Sequence, residues 1–285
     1  MITCNLMGGL GNQLFQIFAV ISYAIKRNQD FQFINREKLG EDTNTIRYTY
    51  WHSFLSKLKN CLFNEYPEFN FVFREEGYRY KVIPSHLTHP NTDTMIFGYF
   101  QSYKYFQQNY KLICLILDIF EKRELVLQEC VNKNLIKIEN LEKTISLHFR
   151  IGDYAKVPLC HPLMNYDYYK NSLSYILNNI DYFPRVLYFC EDQDFEIVNN
   201  IILKLKHDYP QIIFDRVSNQ LEDWKQLLLM SSCKHNIIAN STFSWWGAYF
   251  NSYEEKIVCY PSTWFGPAMT NHDTCDLFPP EWIQI

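Results

Sequence analysis

From residue 144 onward, short apolar runs alternate with longer amphipathic stretches, and few folds accept that order. Residues 144–149, 185–190, 211–214 and 235–239 read as buried strands. Residues 166–180, 194–207 and 221–233 carry apolar positions at helical spacing, and another helix begins at residue 243. Strands that alternate with helices pair in parallel, because each crossover helix returns the chain to the same end of the sheet. The expected class is α/β. The N-terminus repeats the scheme: a strand at 2–7, a glycine turn at 8–11, a helix at 12–27 and a strand at 31–34. A further strand is expected at 94–100 and a mostly helical stretch at 110–131. Residues 40–93 read as irregular and aromatic-rich. A domain boundary is placed near residue 140, which divides the chain into 1–140 and 141–285.

Composition narrows the function more than the fold. The chain has 285 residues, 47% hydrophobic and 20% charged, so it can bury a large core. Its net charge of −4 offers no global field for a nucleic-acid backbone. A local basic pocket for one phosphorylated ligand is compatible with it. No run of 18 apolar residues occurs, so no membrane span is expected. The nine cysteines include no C-x-x-C pair, and Cys4, Cys114 and Cys190 lie in apolar runs. Together with an N-terminus that lacks a basic leader, this predicts a soluble, cytoplasmic chain.

Ligands of parallel sheets bind at the carboxyl ends of the strands, so the residues after each strand carry the information. After the first strand comes Gly8-Gly9-Leu10-Gly11-Asn12-Gln13. It fits a dinucleotide fingerprint only partly, since Leu14 stands at the third glycine position and no acidic residue follows the second strand. Asn12 and Gln13 are the polar groups expected to face a ligand. After residues 144–149, alternation puts His148 and Arg150 on one face, followed by Gly152 and Asp153. Arg150 reads either as a clamp for two phosphate oxygens or as half of an Arg–Asp turn pair. After residues 185–190 comes Glu191-Asp192-Gln193-Asp194. The Asp192/Asp194 pair suits a divalent cation, the carboxylates suit the N–H donors of a guanine edge, and Asp194 also suits a helix start. After residues 235–239 comes Asn240-Ser241-Thr242-Phe243-Ser244-Trp245-Trp246. Hydroxyls and backbone N–H groups at a helix start make an anion site. P-loop, G-x-S-x-G and H-E-x-x-H motifs are absent from the sequence.

Three of these stretches resemble the motifs of the α-1,2-fucosyltransferases, glycosyltransferase family 11. They are Gly8 to Gln16, His148-x-Arg150-x-Gly152-Asp153-Tyr154, and Ser241 to Ala248. The resemblance implies a GT-B architecture, with two Rossmann-type domains facing across a cleft. It assigns 1–140 to the acceptor and 141–285 to the GDP-sugar donor. It implies inverting transfer of L-fucose from GDP-β-L-fucose, as substrate rather than cofactor, to the 2-hydroxyl of a galactose-terminated glycan, with no metal and no other cofactor. Peripheral contact with a glycolipid-bearing membrane is compatible with it. Under it, Arg150 holds the β-phosphate and His148 contacts the guanine. Asn240, Ser241, Thr242, Phe243 and Ser244 wrap the diphosphate, and Asn12 lies near the transferred sugar. Either Glu191 or Asp192 reads the base. Asp153 is the expected general base, with His161 and Glu191 behind it. Two positions depart from the pattern: Ile151 replaces a second arginine, and Cys190-Glu191-Asp192 replaces Ser-Asp-Asp. Tyr50, Trp51, His52 and Tyr78 are candidates for stacking on the acceptor sugar. The rival readings are a metal-dependent glycosyltransferase using Asp192 and Asp194, and a nucleotide-sugar-binding protein without turnover.

Overall fold

A computed structural model describes residues 1–40, 46–65, 67–85, 92–133 and 140–285. It divides into two compact units. The first comprises Met1–Glu121 with Asn271–Pro279, and the second Lys122–Thr270 with Pro280–Ile285. The division at Glu121 falls inside a helix, earlier than the residue 140 expected from sequence. Residues 134–139, 41–45, 66 and 86–91, the last three within the stretch 40–93 read as irregular, lie outside the described residues.

In the first unit, β1 (Ile2–Cys4) is followed by helix α1 (Leu10–Arg27). Asn28 closes that helix in the left-handed conformation, φ 51°, and its N–H bonds back to the last turn. Then come β2 (Phe33–Ile34), a short antiparallel pair β3 (Lys38–Leu39) and β4 (Arg47–Tyr48), and strands β5 (Leu62–Phe63), β6 (Phe71–Arg74) and β7 (Thr94–Phe97). Strand β1 pairs in parallel with β7, β7 with β6, and β2 with β5. A parallel bridge from Ile2 to Phe31 links β1 to the chain entering β2. Helix α1 buries nearly every side chain from Leu10 to Ala24. The expected helix at 110–131 is two helices, α2 (Tyr110–Ile116) and α3 (Ile119–Asn132). Asp118 breaks them at φ 53°. Strand β6 falls in the stretch read as irregular. Its side chains are alternately half-buried and exposed, matching the alternation of Phe69, Phe71 and Phe73 that the sequence carries there.

The second unit is more regular. Its strands are β8 (Thr144–His148), β9 (Arg185–Phe189), β10 (Ile213–Arg216), β11 (His235–Ile237), β12 (Val258–Tyr260) and β13 (Ile283–Gln284). Helices α4 (Tyr166–Leu177), α5 (Phe195–Asp208), α6 (Asp223–Ser232) and α7 (Thr242–Tyr249) alternate with the first of these strands. All strand pairs are parallel, in the order β10-β9-β8-β11-β12-β13. Numbered within the unit, that order is 3-2-1-4-5-6, the doubly wound Rossmann arrangement. Its direction of winding reverses between β8 and β11, and a crevice opens there at the carboxyl edge. Two parallel-sheeted, Rossmann-type units in one chain are the inventory of the GT-B class. Strands β12 and β13 were not expected from sequence.

Close backbone packing shapes the carboxyl edge of this sheet. Gly266 donates its N–H to Cys160 O at 2.8 Å, and a Cβ at Gly266 would lie 2.3 Å from Leu159 O. Backbone cannot yield as a flexible side chain would. Gly266→Ala is therefore expected to destabilise the protein by about 1–3 kcal/mol, the usual range for overpacking. That lowers the melting temperature by roughly 2–10 °C. An unchanged melting temperature would mean that the two loops do not pack this closely.

Candidate active site

Strand β8 is buried along its whole length and ends in His148. His148 is 9% exposed, and its ring lies 5.6 Å from Phe243 in α7. Burial and the neighbouring Arg150 charge push its pKa down to about 3, so the ring is neutral near pH 7. Its Nδ1 is buried without a partner among the described residues. Two residues on, the Arg150 guanidinium donates to Glu191 Oε1 at 3.2 Å and to Asp153 Oδ1 at 2.5 Å. It also lies over the Tyr154 ring, 4.9 Å from the centroid. A guanidinium has five N–H donors, so these two carboxylates do not exhaust it. Two anions on one cation do reduce its pull on a diphosphate, and Ile151 adds no second charge.

The turn after β8 is held from the β9 side. Gly152 sits at φ +30°, and its N–H donates to Asp194 Oδ2 at 2.9 Å. Asp194 is 6% exposed. Asp192 instead takes Arg216 through Oδ1 at 2.5 Å. The two carboxylates of the Asp-x-Asp pattern are thus directed to different partners. Asp194 stands at the helix start expected from sequence, as the residue that precedes α5, but its side chain makes no cap bond and ties down the Gly152 turn instead. No group of three or more metal-ligating side chains occurs among the described residues. Arg216, at the end of β10, was missed from sequence, where it is one surface-type residue closing an ordinary strand. Its guanidinium lies 4.7 Å from the Phe195 ring centroid.

On the other side of the crevice, Ser241 precedes α7 with extended backbone and makes no side-chain cap bond. Ser241 and Ser244 are buried, while Thr242 and Phe243 are half-buried. The role expected of Asn240 is partly taken up by the fold. Its Nδ2 donates to Pro162 O at 2.9 Å and to Trp264 O at 3.2 Å, tying two edge loops together. Tyr154 OH donates to Asn240 O at 3.2 Å, and the Tyr154 ring stacks on His161 with centroids 4.3 Å apart. His148, Arg150, Asp153 and Glu191 therefore share one edge with Asn240 and Phe243, although these come from three separate stretches of sequence. Trp245 and Trp246 are fully buried in the core behind α7. Gly247 lets that helix close on α6, since a Cβ there would lie 2.9 Å from Met230 Cβ.

In the first unit, Gly8 adopts φ +76° and lies under the Asn12 side chain. Asn12 is half-buried, and its Oδ1 accepts from Gln101 Nε2 at 3.1 Å. Gln13 does not face a ligand. It is fully buried, and its Nε2 donates to Gly8 O and Tyr48 O at 3.0 and 2.9 Å, locking the glycine turn to β4. Gln16 fastens the same turn through Met7. Trp51 is core, 1% exposed and packed on Phe33, so it is not available to stack on a sugar.

An arginine, carboxylates and a helix start thus share the carboxyl edge of one Rossmann-type sheet. The chain belongs to glycosyl transferase family 11, which its sequence matches over residues 1–285. It is similar to an alpha-1,2-colitosyltransferase of Escherichia coli, 25% identical over all of this chain and 98% of that one. It is also similar to the E. coli O-antigen biosynthesis glycosyltransferase WbnK, 27% identical over 98% of this chain and 99% of that protein. A galactoside 2-alpha-L-fucosyltransferase of Caenorhabditis elegans is 24% identical over 100% of this chain and 79% of that one. No described helix is long and apolar enough to cross a membrane.

Proposed function

We propose that this glycosyltransferase moves L-fucose from GDP-β-L-fucose to the 2-hydroxyl of a galactoside, with inversion and without a metal. One observation carries the reading. Arg150 and the start of α7, from two distant motifs, flank the crevice between β8 and β11, where a diphosphate would meet both. Two of the similar proteins are named for 1,2-transfer, one of fucose and one of colitose, which supports the linkage.

The reaction is a single displacement. The acceptor oxygen forms a bond to the anomeric carbon as the bond to the β-phosphate oxygen breaks, and the hydroxyl proton passes to a base. Negative charge grows on the departing GDP. Arg150 and the first-turn N–H groups of α7 are fixed against that growth. Ser241, Thr242, Phe243 and Ser244 wrap the diphosphate, and neutral His148 contacts the base. Glu191 is engaged by Arg150 and, through Oε2, by Gln193, so it positions the guanidinium. Asp192 is the carboxylate that reads guanine, held from behind by Arg216. Asp153, paired with Arg150, is the base that takes the acceptor hydroxyl proton in this reading. Asn12 contacts the transferred sugar in this reading.

The test is to incubate GDP-fucose with β-galactosides, follow GDP release, and read the product linkage by NMR. An α-1,2-fucosyl product is expected, with turnover unchanged in excess EDTA. Asp192→Asn is expected to raise the donor KM and reduce the preference for GDP-fucose over its adenine analogue by roughly 10-fold, as for loss of one base contact. GDP-colitose belongs in the same assay, because colitose is fucose without its 3-hydroxyl. Transfer of colitose with fucose refused would overturn the donor assignment. A requirement for manganese would overturn the metal-free mechanism, and binding with no GDP release would leave a binding protein.

A further inference from the structure

The turn that follows β7 is built at unusual conformational cost. Phe100 is fully buried at φ 52°, a region that bulky side chains avoid. Such a conformation persists only where its surroundings hold it, and here they are specific. Phe100 N–H donates to Glu75 Oε2 at 2.8 Å, and Tyr105 OH donates to Glu75 Oε1 at 3.2 Å. Glu75 reaches this position only because residue 98 has no side chain. A Cβ on Gly98 would lie 2.4 Å from Glu75 Cβ. Ser102 anchors the far end through Asp276 O at 2.6 Å. Between these anchors the turn presents Gln101, which is 6% exposed. Its Nε2 donates to Asn12 Oδ1, while its own Oε1 is buried without a partner among the described residues. Leaving an amide oxygen buried and unpaired costs stability. A chain selected for folding alone would place an apolar residue there.

An asparagine amide has two nearly isosteric orientations that exchange its oxygen and its NH₂ group. A donor placed on Oδ1 selects one of them. We infer that Gln101 is a positioning residue for transfer, held by the Gly98–Phe100 turn and Glu75, and that it sets which group of the Asn12 amide faces the sugar. This rests on the proposed function only in giving Asn12 a place beside the transferred sugar.

The test is a double-mutant cycle with Gln101→Met, which keeps the side-chain volume and removes the amide, and Asn12→Ala. Gln101→Met is expected to lower kcat by roughly 10- to 100-fold, the scale of a misplaced reacting group, with donor KM within about twofold. In the Asn12→Ala background the same change is expected to have almost no further effect. A purely structural Gln101 would lower kcat equally in both backgrounds, and that outcome overturns the inference, as does an unaffected kcat in Gln101→Met. Should wild type transfer no GDP-sugar at all, the functional reading fails, and a neutron crystal structure of Gln101→Met, which tells the amide oxygen from its NH₂ group, still decides the positioning claim. A reoriented or split Asn12 side chain supports it, and an unmoved one overturns it.

Discussion

Arg150→Ala is expected to reduce turnover by about 10²-fold or more, the scale on which enzymes lose a preorganised group that meets developing charge. The guanidinium sits at the end of β8 beside the crevice and holds two carboxylates that are themselves exposed. Removing it leaves no buried charge unpaired, so the fold should survive and the loss should appear in kcat. Arg150→Lys retains one positive charge and loses the planar fork, so it is expected to recover little. Steady-state kinetics with GDP-fucose, alongside a melting curve for each variant, check this. A near-wild-type Arg150→Ala would remove this side chain from the reaction, and the proposed mechanism would fall with it.

The second large effect is acid sensitivity. His148 and His235 are both buried as neutral rings, with pKa values pushed down to about 3 and about 4 by burial and by neighbouring positive charge. His235 shows the reason in its bonding. Its Nδ1 accepts the Ile257 N–H at 2.9 Å, and its other ring nitrogen pairs with Tyr182 OH, so protonating Nδ1 breaks a backbone bond. In the unfolded chain both rings take up protons near pH 6.5. Folding therefore excludes protons, and the stability involved is full above pH 6.5 and falls as pH drops toward 4 and 3. Each ring contributes up to about 1.4 kcal/mol per pH unit, so the two together remove roughly 4 kcal/mol by pH 5. That is a large share of the ~5–15 kcal/mol of a typical domain. Salt-bridged carboxylates such as Asp208, held below the usual range by Lys170 and Tyr166, act only at lower pH. Urea midpoints measured between pH 7.5 and 5 isolate the histidines. Midpoints that do not move across that range would show that both rings are solvated in the folded protein, and half the expected shift that one of them is.

Much of this was legible along the chain. Strong apolar periodicity located β8, β9, β11 and the helices of the second unit within a few residues. The three motifs were visible because each is a short contiguous run that follows a strand. Errors came where a residue's role depends on a distant neighbour. Gln13 and Asn12 are adjacent polar residues in one glycine turn, yet Gln13 is spent on Tyr48 O while Asn12 meets Gln101, 89 positions away. Asp192 and Asp194 look like one chelating pair, and folding sends them to Arg216 and to Gly152. Trp51 resembles a sugar platform, and the core claims it. Arg216 carried no local signal, whereas the alternating phenylalanines of β6 did mark a strand within the stretch read as irregular.

Local sequence settles where the strongly periodic helices and strands form, because backbone conformation there answers to side-chain spacing over a handful of residues. It also names the family, since motif chemistry is written in contiguous runs. Which charged groups share a partner is decided by the tertiary structure alone. A carboxylate is worth little in water, and its role follows from the donor that burial and strand order place within about 3 Å of it.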